Sequence, residues 1–170
     1  RPDATAESLG KLRAIGGDDA THTAGNAPGV NDGAGALVLA SEEWAEANGK
    51  EIMGTIIGYG QIGGEYACLA KTPALAAKAA LEKVGKTPAD VDVWEINEAF
   101  ASVSLNTVKM LEIDEDKVNV NGGAIAIGHP IGASGARVFN TLVFEMQRRG
   151  AKKGLATLCI GGGQGVALAI

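Results

Sequence analysis

Three separate stretches of this sequence carry side chains that acid–base or nucleophilic chemistry uses. The first holds Asn97 and Glu98, the second is rich in glycine around His129, and the third begins at Cys159. His129 is the candidate base, because an unperturbed imidazole titrates at about 6.5. Cys159 can act as a thiolate if neighbouring groups lower the pKa of its thiol. Asn97 can fix a water or an oxyanion, whereas Glu98 can be either catalytic or structural.

The first and third of these stretches each follow an apolar run. Residues 91–96 precede Asn97, and residues 155–158 precede Cys159. Polar groups at the ends of buried strands, brought together from several segments, are typical of active sites in α/β folds. We therefore expect Asn97, His129 and Cys159 to converge on one pocket, with His129 at its mouth. Taken singly, Asn97 can instead cap a helix, and Cys159 can be a buried strand residue.

The second stretch, residues 119–137, places five glycines around one histidine. Glycine permits sharp turns and close approach of other groups, and Pro130 restricts the backbone directly after His129. The stretch is therefore a loop that positions the imidazole. It lacks the Gly-Lys-Ser/Thr of a phosphate-binding loop, and no helix is expected after the glycines at 161–165, so neither a nucleoside-triphosphate site nor a dinucleotide site fits.

In order and spacing, the three stretches resemble the C-terminal motifs of the thiolases. The resemblance rests on Asn-Glu-Ala-Phe at 97–100, on Asn-Gly-Gly-Ala-Ile-Ala-x-Gly-His-Pro-x-Gly-Ala-Ser-Gly at 121–135, and on Cys-x-Gly-Gly-Gly-x-Gly at 159–165. A further match at 23–34 extends it over nearly the whole chain. The resemblance implies acyl transfer between acyl-CoA and CoA, with Claisen condensation or thiolytic cleavage of 3-oxoacyl-CoA, as in the acetyl-CoA acetyltransferases and 3-ketoacyl-CoA thiolases of fatty acid metabolism.

The resemblance also implies a role for each matching residue. His129 would activate a nucleophilic cysteine, and Cys159 would move the proton at the α-carbon of the second acyl-CoA. Asn97 would hold a water that stabilises an enolate oxygen together with His129, and the N–H of Gly161 would help form a second oxyanion hole. Claisen chemistry needs such a base, an acyl carrier and stabilised oxyanions. Coenzyme A thioesters would be substrates, and no cofactor is expected.

The nucleophilic cysteine of thiolases lies in the first half of their subunit, and neither Cys68 nor Cys159 matches it. Cys68 is instead predicted to be a small buried hydrophobic residue. We therefore expect the isolated chain to be inactive and to pair with an N-terminal thiolase half. A homodimer or homotetramer is expected for the full-length protein.

The resemblance implies substrate contacts at Ala27, Pro28 and Phe100. Pro28 departs from the family, which often has a small hydroxyl residue near the pantetheine arm at this position. Proline offers neither a hydroxyl nor an N–H. The departure therefore puts one pantetheine contact in question and leaves the chemistry at His129 unaffected.

Composition excludes several classes of protein. Hydrophobic residues make up 46% and charged residues 21%, as in a globular domain, and no apolar run is long enough to span a membrane. The net charge of −5 argues against non-specific binding to nucleic acid. Two cysteines and two histidines show no metal-ligand spacing, so no metal site is expected, and a reducing cytoplasm fits two free thiols.

The predicted fold is α/β and thiolase-like, with a mixed central sheet, helices on its faces and a C-terminal antiparallel hairpin. Residues 1–48 are expected to hold a linker with a short helix and the last strand and helix of an N-terminal half. Residues 49–170 are expected to form a C-terminal domain. The predicted strands are 34–40, one starting at Glu51, 90–96, 154–160 and 165–170, and the main helices are 42–48, 73–84, 99–111 and 133–149.

Three alternatives to a thiolase half-site remain at this point. A β-ketoacyl synthase relative is expected to carry a second histidine where this chain has Cys159. A non-catalytic acyl-CoA or lipid-binding module is expected to lack His129 or Cys159, and both are present. A purely structural fragment is the third alternative.

Overall fold

A four-stranded mixed sheet forms the centre of the computed structural model, which describes residues 1–17 and 19–170. Its strands are β1 (Gly58–Gly63), β2 (Val93–Ile96), β3 (Gly154–Ile160) and β4 (Gln164–Ala169), in the spatial order β1-β4-β3-β2. β2 pairs with β3 in parallel, and the other two pairings are antiparallel. The predicted α/β class and the C-terminal hairpin are confirmed, and the hairpin strands occupy the two central positions.

Helices cover both faces of the sheet. Helices α1 (Ala6–Gly10) and α2 (Glu42–Ala47) precede β1, α3 (Thr72–Lys83) lies between β1 and β2, and α4 (Ala101–Leu111), α5 (Ala124–Ile127) and α6 (Ser134–Arg149) lie between β2 and β3. One buried cluster joins α3 and α4 to Trp94 and Leu155, and the other joins α6 to Val93 and Ala156. Short 3-10 helices lie at Tyr66–Lys71, Pro88–Asp90 and Glu115–Lys117.

Helix α3 lies unusually close to the sheet because its inward face is made of alanine. Ala76, Ala77 and Ala80 are fully buried. At Gly60 of β1 a methyl group would overlap the backbone of Ala76, so only glycine fits there. The alanine repeat that predicts close packing on a sheet is thus matched by a glycine in the facing strand.

Helix α6 is amphipathic over four turns and begins five residues after His129. Val138, Leu142 and Met146 are buried against the sheet, and Gly150 ends the helix with a φ of 68°. Arg148 and Arg149 lie in the last turn, where cations favour the helix dipole. The predicted helix therefore forms, with its first residue at Ser134.

Two predicted strands differ from the structure. Residues 34–40 form no strand within the described part of the chain; they are exposed, and Val38 is 94% accessible. The apolar run has the composition of a buried strand, but a strand needs a neighbouring strand with which to pair, and the sheet ends at β1 and β2. The strand predicted to start at Glu51 starts instead at Gly58, and residues 51–57 lie exposed.

Local signals for helix ends hold elsewhere in the N-terminal region. A serine directly before a helix predicts an N-terminal cap, and the hydroxyl of Ser41 accepts the N–H of Trp44 at 3.2 Å at the start of α2. Cys68, by contrast, is half-buried, and its thiol lies 3.7 Å from the carboxylate of Glu65, so the prediction of a small buried hydrophobic residue is wrong. Among the residues that the structure describes, no helix has the length and hydropathy needed to cross a membrane.

Candidate active site

Asn97 lies at the corner that follows β2. Its N–H donates to the carbonyl of Thr157 at 3.0 Å, which places the corner beside β3 two residues before Cys159. The side chain is buried at 1% exposure. Neither its Oδ1 nor its Nδ2 finds a hydrogen-bond partner among residues 1–17 and 19–170. Buried amides are normally satisfied, so this open amide has the capacity to bind a water or a substrate oxygen.

The side chain of Asn119 supports this corner by making the two backbone hydrogen bonds that a neighbouring strand would otherwise make. Its Oδ1 accepts the N–H of Ile96 at 2.7 Å, and its Nδ2 donates to the carbonyl of Ile96 at 2.9 Å. Its backbone has a φ of 45°, a region that asparagine tolerates better than most residues. The side chain thus satisfies the edge of β2 at the point where the strand turns into the corner.

Glu98 joins the corner to the glycine-rich loop. Its carboxylate accepts the N–H of Ile125 at 3.0 Å and the Nδ2 of Asn119 at 3.1 Å. A methyl group at Gly123 would clash with this carboxylate, so the glycine makes room for it. Of the two roles left open for Glu98, the geometry supports the structural one.

His129 is half-buried and held by one ring nitrogen. Its Nδ1 lies 2.6 Å from the hydroxyl of Ser134, the first residue of α6. The same hydroxyl also lies 3.1 Å from the carbonyl of Pro130, and when it donates to that carbonyl it accepts from Nδ1. This hydrogen-bond pattern assigns the proton of the neutral ring to Nδ1 and leaves a lone pair on Nε2.

Burial and charge both keep the imidazole neutral. Burial of the ring, followed by the positive charge of Arg137, holds the pKa of His129 below its ordinary value of 6.5. A neutral imidazole at physiological pH is the form that accepts a proton. A neutral ring with a lone pair on Nε2 is able to accept a proton.

The segment of residues 22–34 contacts both the loop of His129 and the corner of Asn97. Val30 forms a parallel bridge with His129, and the Oδ1 of Asn31 accepts the N–H of His129 at 3.3 Å. At the other end, the carbonyl of Asn26 accepts the N–H of Ala101 at 2.9 Å. The segment thus connects the loop of His129 to the corner of Asn97.

The candidate substrate contacts lie on or beside this segment. Ala27, Pro28 and Phe100 are all half-buried, which leaves part of each side chain accessible. The ring of His22 lies 4.5 Å from the ring of Phe100, centroid to centroid, at 55°. The segment and the corner are therefore joined by side chains as well as by backbone bonds.

Cys159 lies on β3 opposite Gly165, just before the turn of the hairpin. Burial raises the pKa of the Cys159 thiol above its ordinary value. The protonated thiol is therefore favoured over the thiolate. The thiol can therefore donate a proton at neutral pH.

The turn of the hairpin follows Cys159. Gly161 is exposed in this turn, and Gly162 and Gly163 have φ values of 84° and 76°.

An apolar groove of about 610 Å³ opens elsewhere, between two exposed segments and α6. Residues 36–42 and 50–56 form its walls, with Phe139 and Val143 from the helix. Asn97, His129 and Cys159 do not line it. Across the described residues, no group of three or more His, Cys, Asp or Glu side chains is arranged to hold a metal ion.

Comparison with protein families assigns both parts of the chain. The family described as "Thiolase, C-terminal domain" matches residues 50–170, and the one described as "Thiolase, N-terminal domain" matches residues 1–43. The chain belongs to the thiolase family.

Individual relatives of this thiolase chain agree with that result. Acetyl-CoA acetyltransferase from Allochromatium vinosum is 55% identical over 170 residues, which are 100% of this chain and 43% of the relative. The protein of the same name from Chromobacterium violaceum is 56% identical over 168 residues, 99% of this chain and 43% of the relative. The thiolase chain thus spans less than half the length of these relatives.

Solved structures match the thiolase chain equally well. The crystal structure of Bacillus anthracis acetyl-CoA acetyltransferase superposes with a TM-score of 0.95 at 47% identity. That of human mitochondrial 3-ketoacyl-CoA thiolase in complex with CoA superposes with a TM-score of 0.90 at 40% identity. Each match covers 99% of this chain and 43% of the solved one.

Hydrogen bonds thus join three of the motifs of this thiolase chain, and a bond from Asn97 to Thr157 connects them to β3, the strand that carries Cys159. The corner of Asn97 contacts β3, the loop of His129 and the segment of residues 22–34. Convergence of the Asn97, His129 and Cys159 side chains on one pocket stays a prediction.

Two positioning residues escaped the sequence analysis, Asn119 and Ser134. Ser134 follows His129 by five residues at the start of a predicted helix, and that spacing was the available signal.

Proposed function

We propose that this chain supplies the acid–base half of a thiolase active site, which catalyses acyl transfer between acyl-CoA and CoA with Claisen condensation or thiolytic cleavage. His129 is the base that activates a nucleophilic cysteine outside these 170 residues. Cys159 transfers the proton at the α-carbon. Asn97 and His129 stabilise an enolate oxygen, and the N–H of Gly161 serves a second oxyanion site.

Thiolytic cleavage begins with acylation of the nucleophilic cysteine. The nucleophilic thiol loses its proton to Nε2 of His129 and attacks the 3-keto carbon of 3-oxoacyl-CoA. The bond between carbons 2 and 3 breaks, which leaves an acyl-cysteine and an enolate that takes a proton from the thiol of Cys159. Free CoA then gives its thiol proton to the thiolate of Cys159 and attacks the acyl-cysteine. Acyl-CoA forms, and the cysteine thiolate that leaves takes back the proton held by His129.

The observation that carries this proposal is the arrangement of His129. Its Nδ1 is engaged by Ser134, its pKa is lowered, and its Nε2 keeps a lone pair. A base needs this combination, and an incidental histidine in a glycine-rich turn does not. The raised pKa of Cys159 supports the second role, because a thiol, and not a thiolate, protonates the enolate.

Binding of the thioester substrate is assigned to Ala27, Pro28 and Phe100, which the hydrogen bond between Asn26 and Ala101 holds together. Because Pro28 has no hydroxyl or N–H, we assign it apolar contact with the pantetheine arm only. The reaction uses coenzyme A thioesters as substrates and requires no cofactor, since each proton and acyl group moves between substrate and side chains.

The exposed apolar segments support a partner for this chain. Leu37, Val38 and Leu39 are 40%, 94% and 72% accessible, which is unusual for neighbouring aliphatic residues. We assign this surface to contact with an N-terminal thiolase half, residues 1–48 being the end of that half and 49–170 the C-terminal domain. A homodimer or homotetramer in the cytoplasm, acting in fatty acid metabolism, completes the proposal.

Two proteins test it: the isolated chain, and a chimera in which the chain replaces the 170 matching residues of the Allochromatium vinosum acetyl-CoA acetyltransferase. After incubation with acetyl-CoA, intact mass should show an acetyl adduct on the chimera and none on the isolated chain. The chimera should also cleave acetoacetyl-CoA in the presence of CoA. A folded chimera without turnover, or turnover by the isolated chain through an adduct on Cys68 or Cys159, overturns the proposal.

A further inference from the structure

A carboxyl group and a guanidinium lie buried together between the sheet and α6. Glu95 of β2 is fully buried, and its Oε2 lies 3.3 Å from Nη1 of Arg137, whose side chain is 19% exposed. Burial raises the pKa of Glu95 to about 7, although Arg137 opposes the shift. The attraction within such a buried pair is largely offset by the cost of desolvating both groups. Stability alone therefore does not explain the pair.

The pair is incompletely satisfied by hydrogen bonds. Oε1 of Glu95 and both Nε and Nη2 of Arg137 are buried and lack a partner within the part of the chain that the structure describes. The charge on the guanidinium is therefore only partly compensated. In a site from which water is largely excluded, such a charge acts over a longer range than it would at the surface.

Both members of the pair lie on the elements that position the candidate catalytic residues. Glu95 precedes Asn97 by two residues on the strand that ends at the corner. Arg137 follows Ser134 by three residues on α6, so the two lie on the same side of the helix one turn apart. Ser134 is the residue that binds Nδ1 of His129.

We propose that Arg137 is a positioning residue for His129: the guanidinium, held by the buried carboxyl of Glu95, keeps the imidazole in the neutral form that accepts a proton. The lowered pKa of His129 agrees with this role, because the charge of Arg137 is its second cause after burial. Nothing in this arrangement requires Arg137 to touch a substrate. Glu95 fixes where the charge lies, and α6 fixes its place relative to Ser134.

The other charged groups around the pair are occupied. Glu98 and Glu145 both raise the pKa of Glu95. Glu98 is bonded to Asn119 and to the N–H of Ile125, and Glu145 is bonded to Arg148, Arg149 and Asn121. On the segment that crosses the His129 loop, the acidic residue Asp32 is exposed to solvent. Arg137 is therefore the cation whose removal should affect His129 most.

The inference rests on the proposed role of His129 as a base, but its test measures the imidazole alone. The chain contains two histidines, His22 and His129, so a titration followed by nuclear magnetic resonance resolves both rings once the variant His22→Asn assigns them. His22 serves as an internal control. The titration runs from about pH 5 to about pH 8, where imidazoles change charge.

The variant Arg137→Met removes the charge and retains an apolar stem of similar length. It should shift the titration midpoint of His129 upward and leave that of His22 unchanged. Arg137→Lys retains the charge and should remain near the wild type. Glu95→Gln still offers an amide oxygen to Arg137 and should not raise the midpoint of His129.

A second variant guards against misfolding of the first. In Glu95→Gln with Arg137→Gln, two amides can bond to each other and fill the same space without charge. It should show the same upward shift for His129. An unchanged titration midpoint of His129 in either folded variant overturns the proposal. The expected upward shift together with an inactive chimera would count only against the catalytic role of His129.

Discussion

The carboxylate of Glu98 accepts the N–H of Ile125 at 3.0 Å, across 27 residues of sequence. This bond joins the corner that carries Asn97 to the first turn of α5, which leads into the loop of His129. A carboxylate near a helix N-terminus is also favoured by the helix dipole. Glu98 thus sets the distance between two motifs that the sequence places far apart.

Removal of the Glu98 carboxylate should loosen this connection. Glu98→Ala should lower the free energy of unfolding by about 2–3 kcal/mol, because hydrogen bonds to charged groups contribute roughly 1.5–3 kcal/mol. Urea unfolding followed by circular dichroism measures the change. Glu98→Gln retains an acceptor for Ile125 and should lose clearly less; equal losses in the two variants would contradict a role for the bond.

Gly123 tests the same contact from the opposite side. Its backbone, with a φ of −118°, is compatible with alanine, so the effect of Gly123→Ala is steric. The added methyl would collide with the Glu98 carboxylate, and overpacking of this kind costs about 1–3 kcal/mol in the free energy of unfolding.

Gly132 provides the matched control in the same loop. A methyl group there meets no atom within 4 Å among the described residues, and Gly132→Ala should change stability by less than about 0.5 kcal/mol. Equal unfolding midpoints for the two alanine variants would show that the Glu98 carboxylate does not occupy the space beside Gly123.

Local sequence patterns predicted the elements that depend on local physics. Alanines at helical spacing after Pro73 indicated α3, and the apolar runs around the glycines at 161–165 indicated the β3–β4 hairpin. Ser41 as a helix cap also holds. In each case the determining interactions lie within a few residues of one another.

Partners distant in sequence were not predictable in the same way. The apolar run at 34–40 has the composition of a buried strand, yet a strand also needs a neighbour, which composition does not supply. The side chain of Asn119 completes the edge of β2 from 23 residues away. Likewise, the motifs named His129, but only the structure shows Ser134 at its Nδ1.

Glu145 gives a pH-dependent prediction. Arg148 is the largest of the contacts that lower its pKa to about 2, and Asn121 and Arg149 also bind its carboxylate. A carboxyl group with a lowered pKa stabilises the folded state above its unfolded value of about 4.5, and the stabilisation is lost as the pH falls toward 2.

Glu145→Gln should therefore be less stable than the wild type at about pH 6, and the difference should shrink at about pH 3. Urea unfolding at the two pH values measures both differences. The conservative exchange Lys152→Gln, at an exposed residue, is the control and should show no such trend. A difference that grows as the pH falls would have the wrong sign for this arrangement.

The central claim is that His129 and Cys159 carry out the proton transfers of thiolase chemistry, and kinetics of acetoacetyl-CoA cleavage by the chimera test it most directly. His129→Ala and Cys159→Ala should each lower kcat/KM by roughly a hundredfold or more, as expected when a general acid or base is removed. Cys68→Ala, the control at the other cysteine, should retain the activity of the parent chimera. If the His129 and Cys159 variants both stay within about tenfold of the parent, the claim is contradicted.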